Sequence, residues 1–444
     1  MTAPAFPRLV SVEAAQEAVL DQVAVVGTES VAVEDTLGRI AAQPVTGLVS
    51  LPPWPNSAMD GYAILAADTA SASEHRTVRL TVIGDVRAGA EPTVEVRSGV
   101  AARIATGARV PPGADAVVPV ELTTPLDEAG RAGPRGRDAT GPLPAACLVH
   151  EPVAVRGSIR DEGSDLAAGA RLLEAGTALS AAMVALVAGA GVTTIEVHQR
   201  PRIGVLATGD EVRRSGEVLG PAGIPDANGP GLRAQVTAAG AEPIDLGIAS
   251  DDLDDVLARI RRGLETGADA LILSGGVSVG PYDVVKTAIE TIGRVDLWRV
   301  AVQPGRPFAF GSAERPGGGA PVLLFGLPGN PVSSAITFEL FVRPAIRRMA
   351  GRHELFRVTD RGLLREPVSK AHGRRAFLRV ASLRDDTGTP SRDERGRVLV
   401  RLAGGQGSHV ISALAGADAL AIVPESVDSL PAGAEVALWW LDRP

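Results

Sequence analysis

The chain has 444 residues, 45% of them hydrophobic, with a formal net charge of -8. That length accommodates about three domains of ~150 residues, and the acidic balance argues against non-specific nucleic-acid binding and against docking to an anionic membrane surface. The single cysteine, Cys147, excludes a disulfide framework and fits a reducing cytoplasm; no apolar run approaches the ~20 residues of a membrane span, and no secretory signal pattern opens the chain.

Taken in chain order, Ser11 reads as the N-cap of a helix over 12–23. Leu51-Pro52-Pro53-Trp54-Pro55 breaks regular structure and leads into Asn56-Ser57-Ala58-Met59-Asp60-Gly61-Tyr62-Ala63. Between Val78 and Val120, short apolar pieces separated by Gly and Pro predict a small β-rich domain. Residues 123–146, rich in Gly, Pro, Arg and Asp, read as a mobile insertion. Strand-like alternation returns over 153–173, around Asp161-Glu162-Gly163-Ser164-Asp165-Leu166.

From Leu179 the pattern changes. An apolar helix over 179–188 closes at Gly189-Ala190-Gly191. Strands at 203–207, 243–248, 270–273, 297–302 and 322–325 then alternate with helices at 231–239, from Asp252 with Ser250 as N-cap, at 284–292, and after Asn330-Pro331. Such alternation predicts a doubly wound parallel sheet covered on both faces, with ligands bound outside the carboxyl ends of its strands. From Leu363 onward the chain reads as a second small β domain.

The chemistry-bearing groups sit in the loops that follow these strands. Strand 270–273 opens into Ser274-Gly275-Gly276-Val277-Ser278-Val279-Gly280-Pro281-Tyr282-Asp283 and then a helix. Glycines there allow close backbone approach to a ligand, and the helix N-terminus favours an anion. The same stretch also reads as a sharp turn with Asp283 as N-cap. The other loops carry Thr208-Gly209-Asp210-Glu211, Ser250-Asp251-Asp252, Gln303-Pro304-Gly305-Arg306-Pro307 and Gly329-Asn330-Pro331-Val332-Ser333. On a parallel sheet these meet along one edge, which gathers Glu211, Asp251 and Asp283 beside Ser278, Arg306 and Ser333. Clustered carboxylates call for a cation, and oxygen ligands without His or Cys point to Mg2+. Six scattered histidines have no ligand spacing. An adjacent arginine with hydroxyls suits a tetrahedral oxyanion. Each loop also has an ordinary reading: Thr208-Gly209-Asp210 as a turn, Asp252 as an acid offsetting the helix dipole, Asn330-Pro331 as a helix start.

With these residues laid out, the chain resembles the molybdopterin molybdotransferases, the molybdenum-insertion enzymes related to the E domain of gephyrin. The resemblance covers nearly the whole chain. It rests on Asn56 through Ala63, Ile104-Ala105-Thr106-Gly107-Ala108, Gly163 through Leu166, Thr208 through Glu211, Ser274 through Asp283, Pro304 through Gly311, and Gly326 through Ser333. It implies a central doubly wound α/β domain (179–352), a split linker domain (1–50 and 150–178), an inserted β-rich lid (51–149) and a C-terminal β-barrel (353–444). It further implies a cytoplasmic homodimer that takes adenylylated molybdopterin and molybdate with Mg2+, releases AMP, and receives its substrate from a molybdopterin adenylyltransferase or another protein partner.

Carried over by position, Asp60, Thr106, Asp165, Glu211 and Asp283 would be catalytic, with Glu211, Asp251 and Asp283 on Mg2+. Thr208, Gly209, Asp210, Gly275, Gly276, Ser278, Gln303, Pro304, Arg306, Pro331, Ser333, Arg374 and Ser408 would bind substrate. The family's Lys-Pro-Gly-Lys-Pro stands here as Gln303-Pro304-Gly305-Arg306-Pro307. Lysine occurs only as Lys286 and Lys370 in the whole chain, a bias that accounts for Arg306 but not for Gln303. Ser164 replaces the usual acidic neighbour of Asp165, and Glu162 stands where a basic residue is common. Those departures motivate an alternative, a gephyrin-like scaffold binding a protein partner. A nucleotide pyrophosphatase ranks third, because the motifs around Asp60 and Thr106 lie outside the central fold.

Overall fold

Strands buried on both faces organise the molecule. The computed structural model describes residues 9–136, 141–276 and 284–441. Its central domain contains β1 (Arg202–Thr208), α1 (Asn228–Ala239), β2 (Glu242–Ala249), α2 (Leu253–Glu265), β3 (Ala270–Ser274), α3 (Val284–Ile292), β4 (Gly293–Val300), β5 (Pro307–Ala313), β6 (Val322–Leu327) and α4 (Pro331–Thr337). Successive side chains leave a strand on opposite faces. Ile203, Val205, Ile272 and Phe325 therefore enter one core with Leu232 and Val236 of α1 and Val332 and Ile336 of α4. Leu206, Leu271, Leu273 and Leu324 enter the other with Val256 and Ile260 of α2 and Val285 and Ile289 of α3.

The sheet order is β4-β5-β6-β3-β1-β2, with Leu9–Val10 added beside β4. The expected all-parallel sheet is corrected to a mixed one: β5 runs antiparallel to both β4 and β6. The connections at 301–306 and 314–321 are too short for a crossover helix, so neighbouring strands must reverse. Strand β5 itself was not expected, although Phe308-Ala309-Phe310 is fully buried. The strand expected at 297–302 begins earlier and ends at Val300; Val302–Gln303 leaves it to pair with the C-terminal sheet. Asp252, not Ser250, caps α2: its carboxylate accepts from Asp255 N–H at 3.1 Å, while Ser250 donates through N–H and Oγ to Asp255. The first helix keeps Ser11 as its cap but ends at Leu20.

Three two-stranded pairings bracket the lid: Thr28–Ala32 with Thr194–His198, Val45–Thr46 with Arg171–Leu173, and Asn56–Ser57 with Ile159–Arg160. Chain on either side of the lid is thus stitched together, which makes the linker discontinuous. The lid is a six-stranded sheet. The ends of the expected insertion belong to it, since Thr123–Leu126 pairs with Ala146–Val149, which pairs with Val78–Val86. At the C-terminus Arg375–Ser382 pairs with both Val398–Leu402 and Ala419–Val423, closing a five-stranded barrel through Thr359–Leu364 and Glu435–Trp440.

Beyond α4 the helix widens into a π turn over Phe338–Val342. Glu339 in that turn accepts from Arg357 Nε at 2.8 Å and from Gln235 of α1 at 3.3 Å, with Arg343 Nε 3.8 Å away. Burial lowers the Arg343 guanidinium to about 10, so it stays charged at neutral pH. Removing the carboxylate takes the counter-ion from buried Arg343 and part-buried Arg357, and losing one partner of a buried pair costs ~3–5 kcal/mol. Glu339→Ala is therefore expected to lower the thermal midpoint sharply, while Glu339→Gln, which keeps an acceptor, loses less; a melting curve for each checks this.

Candidate active site

Because β1, β2, β3 and β6 are parallel, their carboxyl ends share one edge. The reversed β5 starts there too, with Pro307 opposite Arg299 and Ala309 opposite Gly326. At the end of β1, Thr208 Oγ1 donates to Ser274 C=O at 3.3 Å, and Gly209 N–H donates to Ala249 C=O at 3.1 Å. Asp210 and Asp251 hold each other: Asp210 N–H donates to Asp251 Oδ2 at 3.3 Å and Asp251 N–H to Asp210 Oδ1 at 3.1 Å. This exchange ties the β1 and β2 loops and leaves one oxygen of each carboxylate available. Glu211 is exposed beside them, its carboxylate folded over Gly209.

Gly275 donates its N–H to Leu327 C=O at 3.1 Å. It has φ +109°, and a Cβ there would stand 2.5 Å from Thr208 Oγ1, so only glycine lets the β3 loop lie this close to the β1 loop. Gly276 follows it on the same turn. Ser278 and Asp283 lie outside the described residues. Among the described residues no three His, Cys, Asp or Glu side chains converge as a metal site. Asp210 and Asp251 are in contact and Glu211 follows on the same loop, so the carboxylates here offer oxygen donors, the type a hard cation takes, without forming a closed metal site.

The loop before β5 supplies positive charge. Gly305 packs on the first turns of α4, where a Cβ would meet Thr337 Oγ1 at 2.6 Å. Arg306 is half-buried, and its Nε is buried with no hydrogen-bond partner among the described residues. An unsatisfied buried donor is costly, and an oxyanion at this edge would satisfy it. Gln303, preceding Pro304, accepts through Oε1 from Ala371 N–H at 3.1 Å, and its strand pairs with the barrel at Val302–Arg375 and Gln303–Ala376. A lysine could not accept that bond, so the unexpected glutamine exchanges a charge for an interdomain tie.

The barrel contributes at two further points. Val332 N–H in the first turn of α4 donates to Ser408 C=O at 3.1 Å, which brings Ser408 against the helix that Pro331 begins. Asn330 sits at the N-cap position but makes no side-chain cap bond. Ser333 is buried, and its carbonyl accepts from Thr337 Oγ1. Arg374 is half-buried, and its guanidinium has no hydrogen bond or ion pair among the described residues.

In the lid, Asp60 Oδ1 accepts from Thr106 N–H at 2.7 Å and Thr106 Oγ1 at 2.9 Å, so two motifs 46 residues apart form one exposed pair. Asp165 is exposed, its N–H bonded to Leu51 C=O. Among the described residues no hydrogen bond or ion pair joins these three to the central edge. Sequence reasoning missed Asn228, whose side chain spans two of the loops, because the helix was expected to start at Gly231; Asp226-Ala227-Asn228-Gly229 was the available signal. Asn228 and Pro331 also border a cavity of about 360 Å³ between α1, α4 and the barrel. Among the described residues that line it, the one cation is Arg357, which pairs with Glu339.

Residues 204–348, which hold every loop of this edge, match the probable molybdopterin binding domain. Residues 10–191 match the MoeA N-terminal region (domain I and II), and residues 361–441 the MoeA C-terminal region (domain IV). Similar chains include molybdopterin molybdenumtransferase 2 of Mycobacterium tuberculosis (34% identical, covering 90% of this chain and 92% of that one) and molybdopterin molybdenumtransferase of Bacillus subtilis (33%, covering 92% and 89%). A crystal structure of the molybdopterin biosynthesis MoeA protein from Pyrococcus horikosii superposes with TM-score 0.76 at 31% identity, covering 98% of this chain and 99% of that one. The fold and its edge are those of a multidomain transferase of molybdenum cofactor biosynthesis. The chain belongs to the molybdopterin molybdenumtransferase family.

Two substitutions separate charge from tie. Arg306→Met is expected to weaken molybdate binding ~10- to 100-fold, the range for a lost charge-assisted bond, without lowering thermal stability. Gln303→Lys is expected to tighten it while losing ~0.5–1.5 kcal/mol of stability with the Ala371 bond. Calorimetric titration with molybdate and a melting curve read both.

Proposed function

We propose that this protein inserts molybdenum from molybdate into adenylylated molybdopterin and releases AMP. The observation that carries the reading is the buried Arg306 Nε, unpartnered among the described residues, on the edge that also presents Glu211 and Asp251. Both reactants are anionic, and bringing them together requires fixed positive charge next to a cation site. Arg306 and the N-terminal turn of α4 would hold the oxyanion, with Ser278, Ser333, Gln303, Pro304, Pro331, Arg374 and Ser408 around it. Thr208, Gly209, Asp210, Gly275 and Gly276 would seat the phosphate side. Glu211, Asp251 and Asp283 would hold Mg2+, which when bound supplies Lewis acidity at the phosphoryl oxygens. The pterin dithiolene accepts the metal; Cys147 is fully buried in the lid and takes no part.

In the same reading the linker covers 1–50 and 150–178, the lid 51–149, the catalytic domain 179–352 and the barrel 353–444. The paired Asp60 and Thr106, with Asp165, would complete the site of the other subunit in a homodimer, and a molybdopterin adenylyltransferase would deliver the substrate. No helix among the described residues is long and apolar enough to cross a membrane, which agrees with a cytoplasmic setting. Purified protein is expected to release AMP from adenylylated molybdopterin only when molybdate and Mg2+ are both present, and EDTA should abolish release until Mg2+ is restored. Glu211→Gln and Asp251→Asn should each slow it ~100-fold or more, a loss of several kcal/mol of charge stabilisation. AMP release that ignores molybdate would overturn the proposal.

A further inference from the structure

Asn228 opens α1, on the loop after the short strand Ile224–Pro225. Its Nδ2 donates to Ser274 Oγ at 2.8 Å and to Gly329 C=O at 2.7 Å. A carbonyl oxygen only accepts, so the amide orientation is fixed by chemistry: the nitrogen must face Gly329. The two N–H bonds therefore join α1 to the loop after β3 and to the loop after β6. Backbone already ties the start of the first loop to the end of β6, through Gly275 N–H to Leu327 C=O, and the Asn228 side chain adds a tie one step further out, at Gly329. Ser274 precedes Gly275-Gly276, and Gly329 lies between Pro328 and Asn330; a Cβ on Gly329 would come 3.6 Å from the Gly275 Cα. The hydroxyl of Ser274 is otherwise only loosely engaged, 3.4 Å from Ser334 Oγ and 3.5 Å from Pro328 C=O, and its carbonyl receives Thr208 Oγ1. One amide thus closes a chain of contacts running from the β1 loop through the β3 loop to the start of α4.

The structure assigns Asn228 as a positioning residue that fixes the spacing between the Gly275-Gly276 turn and the Gly329–Pro331 turn, and so the separation of the phosphate side from the oxyanion side. It touches neither reactant in this scheme and acts through Ser274 and Gly329. The assignment rests on the proposed reaction for its rate readout, while the spacing itself is independent of it. An aspartate cannot replace the residue fully at neutral pH: a carboxylate could accept from the Ser274 hydroxyl, but it has no proton to give the Gly329 carbonyl and would face it oxygen to oxygen. Protonated, it regains one O–H donor.

The test measures AMP release by wild type, Asn228→Ala and Asn228→Asp across pH, with AMP binding and a melting curve for each. Asn228→Ala is expected to lower kcat ~10- to 100-fold, the scale of a misplacement of about 1 Å, with AMP affinity changed less than threefold. Asn228→Asp should be at least as slow as Asn228→Ala at pH 8 and overtake it as pH falls toward the carboxyl range, each variant being normalised to wild type at the same pH. Equal, pH-independent loss in both variants, or rates that follow the melting temperature alone, would overturn the assignment, as would wild-type rates in Asn228→Ala. If wild type itself releases no AMP, the reaction proposed above fails, and the assignment is then judged by crystal structures of the variants: an unchanged distance between Gly275 and Gly329 in Asn228→Ala refutes it, and a widened one supports it.

Discussion

Everything this protein does with anions depends on the register of one sheet. Four parallel strands end level, and the reversed β5 begins where they stop, so stretches of chain far apart in sequence meet at one edge. Loops on a packed sheet hold groups in place that would otherwise repel: Asp210 and Asp251 tolerate proximity because each carboxylate accepts the other's N–H. The same register leaves Arg306 with a buried donor that no group among the described residues satisfies. Unpaired donors next to available carboxylate oxygens are what a site for an anion and a hard cation requires.

The flanking domains enter through backbone rather than through charge. Ser408 gives a carbonyl to the first turn of α4, and Ala371 gives an N–H to Gln303. The barrel therefore fixes the geometry of the oxyanion loop from behind. Gln303 is intelligible in these terms: it carries no charge but accepts from Ala371 N–H and so braces the loop that presents Arg306. The lid contributes the preassembled pair Asp60–Thr106, in which the carboxylate is already oriented by two donors.

Much of the fold was legible because burial leaves periodic traces. The short apolar runs at 203–207, 270–273 and 322–325 read as buried central strands, and four of the five barrel strands show in the sequence as short apolar pieces; Thr359–Leu364 does not. The reversal of β5 was not legible, since strand direction is set by connection length in three dimensions and Pro304-Gly305-Arg306-Pro307 drew attention as a motif rather than as a turn. Ser250 looked as good a cap as Asp252; only the geometry of Asp255 distinguishes them. Thr208, Asp210, Asp251, Arg306 and Ser333 could be expected on one edge because strand ends locate them, and Asp60 with Thr106 because motif resemblance does. Asn228 was missed: Asp226-Ala227-Asn228-Gly229 marks a helix start, but its role shows only when its two acceptors, 46 and 101 residues away, are seen beside it.

The central claim is that molybdate is held at the carboxyl edge of this sheet by the loop that carries Arg306. Anomalous scattering at the molybdenum edge, from crystals soaked in molybdate, locates the metal directly. A peak within hydrogen-bonding reach of the Arg306 guanidinium and the first turn of α4, absent in Arg306→Met, is the predicted result. A fully occupied peak elsewhere in the molecule that survives this substitution, with none at the edge, would contradict the account.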